Sequence, residues 1–240
     1  MKRAVISDIH ANLEALQAVL EDIRTQGVTK ICCLGDIVGY GPDPCECLDI
    51  VLDCADIVIL GNHDQAVQFD PDGFNPVALQ AVYWTREQME KRDRLARNTD
   101  QKLFDRLDQF QRLHRAGDYL FVHGSPREPT NEYVFPEDVY NQRKMVALFD
   151  RIERYCFQGH THIPGVFPDT GDFIAAHECD HRYPLKGTKA MFNVGSVGQP
   201  RDNDSRACYA IIHDDIDDPM VEFRRVPYPL EVTVKKIYAV

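Results

Sequence analysis

The chain has 240 residues, of which 44% are hydrophobic and 27% charged, and its formal net charge is −11 at pH 7. This composition predicts one globular domain with a substantial core. The acidic balance argues against binding along nucleic acid or on an anionic membrane, because both partners need a basic surface. The sequence has neither an apolar run of about 18 residues nor a signal-like N-terminus, so a cytoplasmic protein is expected.

The first 60 residues alternate between strand and helix patterns. Short apolar runs predict strands at 2–7, 30–34 and 56–60. Between them, apolar residues recur at helical spacing from Leu13 to Ile23, and Pro44 after Asp43 marks the start of a second helix. This βαβαβ order predicts parallel strands with right-handed crossovers.

Residues 65–117 interrupt this alternation and are predicted to be a helical insertion within a single domain spanning 1–240. Asn75-Pro76 marks the start of a long helix that runs to about Arg94, and Thr99 the start of another. These helices are charge-rich and are expected to lie at one edge of the core.

The second half of the chain is dominated by strand patterns. Strands are predicted at 118–124 and 154–160, with a helix beginning at Pro136 between them. Further strands are predicted in a hairpin after 164 and at 189–194, 206–213 and 220–226. The predicted fold is therefore α/β (α+β by some schemes): a four-layer αββα sandwich of two mixed β-sheets flanked by helices, with the helical insertion.

Five predicted strands are each followed directly by polar side chains. The clusters are Asp8-Ile9-His10, Gly35-Asp36, Gly61-Asn62-His63-Asp64, His123-Gly124 and Gly159-His160-Thr161-His162. Each cluster alone is typical of an ordinary turn. Because ligands of open α/β sheets collect at the carboxyl ends of strands, the five together predict one site. Carboxylates and imidazoles buried on a common rim would stay uncompensated without a cation.

The residue types in these clusters indicate the kind of cation. Aspartate, asparagine and histidine without cysteine suit Mn, Fe, Zn, Co or Ni better than Mg or Ca alone. The clusters supply more candidate ligands than one tetrahedral site takes, and they suit two ions that share a carboxylate. Paired sites of this kind hydrolyse phosphate esters.

The five clusters together resemble the motif set of the calcineurin-like metallophosphoesterases, D-x-H, G-D, G-N-H-[DE], H and G-H-x-H. Here the set stands complete and in order as "DIH", "GD", "GNHD", "HG" and "GHTH". The resemblance extends from residue 4 to about 201. The stretches "DIVGYGPDP" and "NVGSVGQPRD" look closest to a bacterial and archaeal branch. Members of that branch are described as phosphodiesterases, diadenosine tetraphosphatases or relatives of serine/threonine phosphatases.

The resemblance implies a role for each matching residue. The first metal would be bound by Asp8, His10 and His162, the second by Asn62, His123 and His160, and both by Asp36 as the bridge. The implied cofactors are two divalent ions, with manganese favoured and Fe, Zn, Ni, Co or Mg as alternatives.

The same resemblance implies attack on phosphorus by a hydroxide that bridges the metals, with Asn62 helping to hold the nonbridging oxygens. His63 is not a ligand in this scheme; as an imidazolium it would stabilise developing charge or protonate the leaving oxygen. Asp64 either orients His63 or has only a surface role. Arg201 either grips the phosphate or is a structural loop residue.

The predicted function is hydrolysis of phosphate mono- or diesters. Nucleotides, dinucleotide polyphosphates and phosphoproteins are left open as substrates, and the insertion is expected to set selectivity by covering the metal rim. The alternative from another class is a catalytically silent scaffold that keeps the fold, against which stands the complete ligand set. A nuclease would need a basic track; the acidic balance disfavours this reading, although Lys and Arg cluster in 86–97. No membrane partner is expected, and a dimer through the β half stays open.

Overall fold

The computed structural model describes residues 2–71, 73–96, 102–214 and 216–239. Within these ranges two six-stranded sheets pack face to face, and α-helices cover their outer faces. The predicted four-layer αββα sandwich is confirmed. Among the described residues, no helix is both long and apolar enough to cross a membrane.

The first sheet combines the predicted βαβαβ unit with the end of the chain. From edge to edge its strands are β3 (Ile57–Val58), β2 (Lys30–Cys33), β1 (Lys2–Ile6), β11 (Ala207–His213), β12 (Met220–Val226) and β9 (Arg182–Pro184). The three N-terminal strands are parallel, as predicted, and the others pair antiparallel. The sheet is therefore mixed.

The second sheet is mixed as well. Its order is β4 (Leu113–Ala116), β5 (Tyr119–Val122), β6 (Tyr155–Gln158), β10 (Ala190–Asn193), β7 (Gly165–Pro168) and β8 (Ile174–Ala175). Strands β5, β6 and β10 are parallel to one another. Strand β4 was not predicted and lies inside the segment 65–117, so the last residues of that segment belong to the sheet.

Seven α-helices occur in the described ranges. They are α1 (Leu13–Thr25), α2 (Pro44–Cys54), α3 (Asn62–Gln68), α4 (Pro76–Leu95), α5 (Leu103–Leu107), α6 (Gln142–Phe149) and α7 (Leu230–Ile237). Helix α4 has the bounds predicted for the insertion, and Asn75 caps it by accepting two backbone N–H groups. The start predicted for the next helix, at Thr99, lies outside the described residues. Helices α3 and α7 were not predicted.

A stack of aromatic rings fills the space between the two sheets. Phe157 stacks between Phe121 and Phe192, with ring centroids 5.4 Å and 5.0 Å away, and all three side chains are fully buried. Aromatic side chains bury the largest apolar areas and pack in offset stacks of this kind. All three rings belong to the second sheet, on β5, β6 and β10, and they share one buried core with Val5 and Cys32 of the first sheet, below the strand ends that carry the predicted ligands.

We expect Phe157→Ala to lower the free energy of unfolding by about 3–5 kcal/mol, because it leaves a cavity that the flanking rings cannot close. Chemical denaturation measures the change. Phe69→Ala is the matched control, since Phe69 is 59% exposed and should change stability by only about 0.5 kcal/mol. Equal losses in the two variants would contradict the role of the stack.

Candidate metal centre

Loops from both sheets meet at one edge of the sandwich. The loop after β1 bonds the loop after β2, with Asp8 N donating to Gly35 O at 3.0 Å and His10 N to Asp36 O at 2.9 Å. Gly61 packs so closely on Asp36 that a Cβ there would lie 2.2 Å from the Asp36 nitrogen. The glycine of "GNHD" is therefore required by the close approach of two backbones.

Five of the predicted ligands have left-handed backbone conformations. Their φ angles are 54° at Asp8, 48° at His10, 52° at Asp36, 67° at His160 and 63° at His162. Such a conformation costs roughly 1–3 kcal/mol for a residue other than glycine and tends to occur at functional sites. It lets the two histidines of "GHTH" diverge, so that each ring reaches a different group of ligands, whereas an extended strand would place both side chains on the same face.

The first ligand group contains Asp8, His10 and His162, as predicted. Each offers a ligand atom, and the three atoms lie within 4.8 Å of one another. His162 Nε2 lies 3.3 Å from Asp8 Oδ1 and 3.2 Å from His10 Nε2.

The second group contains Asp36, His123 and His160. His123 Nε2 lies 3.0 Å from His160 Nδ1 and 3.1 Å from Asn62 Oδ1. The amide oxygen of Asn62 thus faces the same point as the two rings.

Asp36 lies between the two groups. Its Oδ2 is 3.7 Å from His10 Nε2 in the first group and 3.4 Å from His123 Nε2 in the second. Its Oδ1 accepts a hydrogen bond from His63 N at 2.8 Å, which fixes the carboxylate. The structure therefore brings all seven predicted ligands together, and the Asp36 carboxylate lies within 4 Å of a histidine of each group.

Backbone carbonyls fix which ring nitrogen of each histidine carries the proton. The carbonyl partners are Val38 for His10 Nδ1, Leu34 for His123 Nδ1, Asn131 for His160 Nε2 and Gln199 for His162 Nδ1. A carbonyl only accepts, so these outer nitrogens carry N–H. In the neutral rings the inner nitrogens then present lone pairs to one another and to the carboxylates. Ligating histidines in proteins are oriented in this way, so the donor set fits metal ions.

The electrostatics of the pocket also call for positive charge. Burial lowers the pKa of His123, but the adjacent Asp36 carboxylate overrides this effect and raises it to about 9. Burial and the charge on His123 lower the pKa of His160 to about 3. Without metal, a proton on His123 therefore compensates the buried carboxylates, and a divalent cation would take over that compensation.

His63 lies beside the predicted ligands, and with His10 and Asp36 it forms a third group whose ligand atoms lie within 4.8 Å of one another. Its ring packs on His10 at 4.9 Å, on Tyr40 at 4.6 Å and on Phe74 at 4.9 Å between centroids. Its buried Nδ1 has no hydrogen-bond partner. Burial lowers the pKa of His63, which favours the neutral ring over the imidazolium expected from the sequence. A neutral ring still donates one N–H.

Asp64 corrects a sequence prediction. It is fully buried, so it has no surface role. Its carboxylate does not orient His63 either, because it accepts four backbone N–H groups at 2.8–3.2 Å, from Asp36, Ile37, Val38 and Gly61. Burial and the Asp36 charge raise the pKa of Asp64, while the four donors favour its ionised form. Asp64 therefore acts as a clamp: the hydrogen bonds that it accepts hold the loop that carries Asp36 in place.

A cavity of about 260 Å³ opens beside the second ligand group. Asn62 and His160 line it, together with Phe74, which precedes α4, and Ala78, in the first turn of α4. The predicted insertion therefore reaches the rim of the site. The lining also includes Tyr133, whose ring stacks on His160 with centroids 3.6 Å apart.

Arg201 lies at the mouth of the site. Its backbone N–H donates to His162 O at 3.3 Å, and its exposed guanidinium lies beside the Tyr40 hydroxyl and donates to Gln199 Oε1 at 2.8 Å. Its role in binding phosphate stays a prediction.

Sequence reasoning missed Tyr133 and the Asn131 carbonyl that orients His160. Both belong to a loop after β5 that carries no motif, and their contacts arise only because this loop folds back over His160. Nothing in the local sequence signals them.

Known proteins share this fold and chain length. The family model described as the calcineurin-like phosphoesterase superfamily domain matches residues 1–216. An uncharacterized protein of Methanocaldococcus jannaschii is 38% identical over 98% of this chain and 90% of its own. A crystal structure of a metallophosphoesterase from Sphaerobacter thermophilus is 35% identical, with a TM-score of 0.78 over 100% of this chain and 93% of that one.

A hypothetical protein from Pyrococcus horikoshii has the same fold, with a TM-score of 0.71 at 19% identity over 99% of this chain and 92% of its own. The fold and the convergent histidines and aspartates define a metallophosphoesterase-type site. The chain belongs to the calcineurin-like phosphoesterase superfamily.

We expect Asp64→Asn to lower the free energy of unfolding of the metal-free protein by about 2 kcal/mol. An amide has a single acceptor oxygen, so its NH₂ group would face backbone N–H donors. Denaturation in the presence of a chelator measures the effect. Asp53→Asn is the control, because the Asp53 side chain is 84% exposed; an equal effect there would contradict the clamp.

Proposed function

We propose that this protein is a dinuclear-metal-dependent hydrolase of phosphate mono- or diesters. One observation carries the proposal: four histidines with carbonyl-bound outer nitrogens direct their inner nitrogens at the carboxylates of Asp8 and Asp36. This arrangement supports two adjacent cation sites that share Asp36. The mixed oxygen and imidazole donors favour manganese, with Fe, Zn, Ni, Co or Mg as alternatives.

Two divalent ions, when bound, would acidify a water molecule and polarise the phosphate. The chain's own residues would do the rest. Asp8, His10 and His162 would hold one ion, Asn62, His123 and His160 the other, and Asp36 both. Because these side chains are at most 9% exposed, they would already be desolvated and fixed before the substrate arrives.

Three residues would act on the substrate itself. The Asn62 side chain lies where it would help hold a nonbridging oxygen, and His63 would donate an N–H to the phosphate or the leaving oxygen. Arg201 at the mouth would attract and grip the anion. A local excess of positive charge would draw a phosphate ester to the site despite the net charge of −11.

After a chelator has removed all metal, we expect the protein to bind two manganese ions. We expect Asp36→Asn to bind one or none, because this variant removes the shared ligand. Calorimetric titration and metal analysis of the dialysed protein measure the stoichiometry. Asp217→Asn, on the exposed surface, should keep both ions. Two ions bound with unchanged affinity by Asp36→Asn would rule out the bridge.

We expect His63→Asn to bind metal normally and to lower kcat about 100-fold to 1,000-fold, the range for loss of one hydrogen-bond donor to the charge that develops in the transition state. Steady-state rates with p-nitrophenyl phosphate and its bis ester test this, alongside metal analysis of the same samples. His177→Asn, an exposed histidine, is the control. An unchanged rate in His63→Asn would remove His63 from the mechanism.

The substrate class is tested by comparing p-nitrophenyl phosphate, its bis ester and diadenosine tetraphosphate under several metals. We expect at least one of the three to be hydrolysed and the activity to disappear with a chelator. Metal binding without turnover of any of them would favour the silent scaffold instead.

A further inference from the structure

Tyr40 lines two cavities, and each of them is also lined by predicted metal ligands. One is the polar cavity beside Asn62 and His160 described above. The other is a groove of about 290 Å³ beside His10, which we call the α7 groove. Its principal walls are His10, Tyr40, Tyr228, Leu230, Val234 and Ile237.

The α7 groove shares a wall with the first ligand group. His10, a predicted ligand of the first metal, lines the groove with one side of its ring and points Nε2 toward His162 and Asp36. Tyr40 packs edge-on to that ring, with centroids 4.9 Å apart. A molecule held by its phosphate at the ligand cluster would therefore have direct access to the groove.

The polar side chains of the α7 groove are already bonded to the protein. Asn12 donates to Gly198 O and to the Tyr228 hydroxyl, at 3.0 Å and 3.3 Å. The Asn12 oxygen accepts from Ala15 N and from Thr233 Oγ1, at 3.1 Å and 3.0 Å. Since these groups have partners within the fold, the groove suits an apolar guest.

The helix that closes the groove presents apolar side chains on a fixed support. Leu230, Val234 and Ile237 are 39%, 38% and 45% exposed. Thr233 and Lys236 anchor the same helix, through Glu14 Oε2 at 2.9 Å and Asp43 Oδ2 at 2.8 Å respectively. Exposed apolar surface at a rigid cleft is typical of a binding site.

We propose that the α7 groove is a substrate subsite for the apolar arm of an asymmetric phosphate diester whose second arm occupies the polar cavity across Tyr40. The inference rests on the proposed function and narrows its substrate class. In the reaction, a water oxygen bonds to phosphorus and the P–O bond to one arm breaks. That alcohol leaves with one proton of the water, and the other proton stays on the phosphate monoester of the remaining arm.

The experiment uses p-nitrophenyl alkyl phosphates with methyl, propyl and hexyl arms on the manganese-loaded protein. We expect kcat/KM to rise by up to about fourfold for each methylene buried, until the groove is full. Ile237→Ser and Val234→Ser should remove the dependence of kcat/KM on the length of the arm. Val232→Ser is the matched control, because Val232 is 43% exposed on the same helix but does not line the groove.

A binding measurement separates the subsite from the chemistry. Calorimetry with hexylphosphonate and methylphosphonate should show tighter binding of the hexyl compound to the wild type and equal binding of both to Ile237→Ser. This result would support the subsite even if none of the esters is hydrolysed. The absence of hydrolysis would contradict only the proposed function. Rates and affinities that are independent of arm length would overturn the subsite and leave the proposed hydrolase intact.

A second copy of the chain is the competing occupant of the groove. Light scattering on the wild type and Ile237→Ser decides between the two. The proposal would be overturned if the wild type is a dimer that Ile237→Ser dissociates and kcat/KM does not depend on arm length. An oligomeric state that the substitution leaves unchanged supports it.

Discussion

The site depends on electrostatic repulsion: the lone pairs of the inner histidine nitrogens and the carboxylates of Asp8 and Asp36 are buried side by side. Only positive charge between them offsets this opposition. Four carbonyl oxygens hold the imidazoles in one tautomer, so the rings cannot relieve the opposition by turning or by exchanging protons between their nitrogens. Other features near the site serve to keep this arrangement. Gly61 lets two loops touch, and Asp64 ties down the turn that carries Asp36.

The sandwich supplies the geometry that the loops alone lack. Parallel pairing of β1 with β2 and of β5 with β6 brings four strand ends to the same edge. The aromatic stack around Phe157 packs β5, β6 and β10 together, and its burial in one core with strands of the first sheet keeps the two sets of strand ends side by side, so ligands from both meet at Asp36. A site built from both sheets in this way is sensitive to packing that lies well below it.

The clusters of polar residues could be predicted from the sequence because each follows an apolar run, and the carboxyl ends of parallel strands in one sheet share an edge. The sequence was insufficient where distant groups decide the outcome. Asp64 stands next to His63 in the chain, yet its partners are amides of another loop. Helix α7 contains β-branched residues that favour strands, and contacts of Thr233 and Lys236 with other parts of the fold stabilise it as a helix.

The left-handed conformations of Asp8, His10, Asp36, His160 and His162 have an evolutionary consequence. Glycine would relieve the backbone strain at each of these positions, so no demand of the backbone itself keeps an aspartate or a histidine there. Mutational drift under selection for folding alone would thus erode the ligand set. The protein keeps five such strained residues in one site, as expected where folding stability is lower in exchange for function.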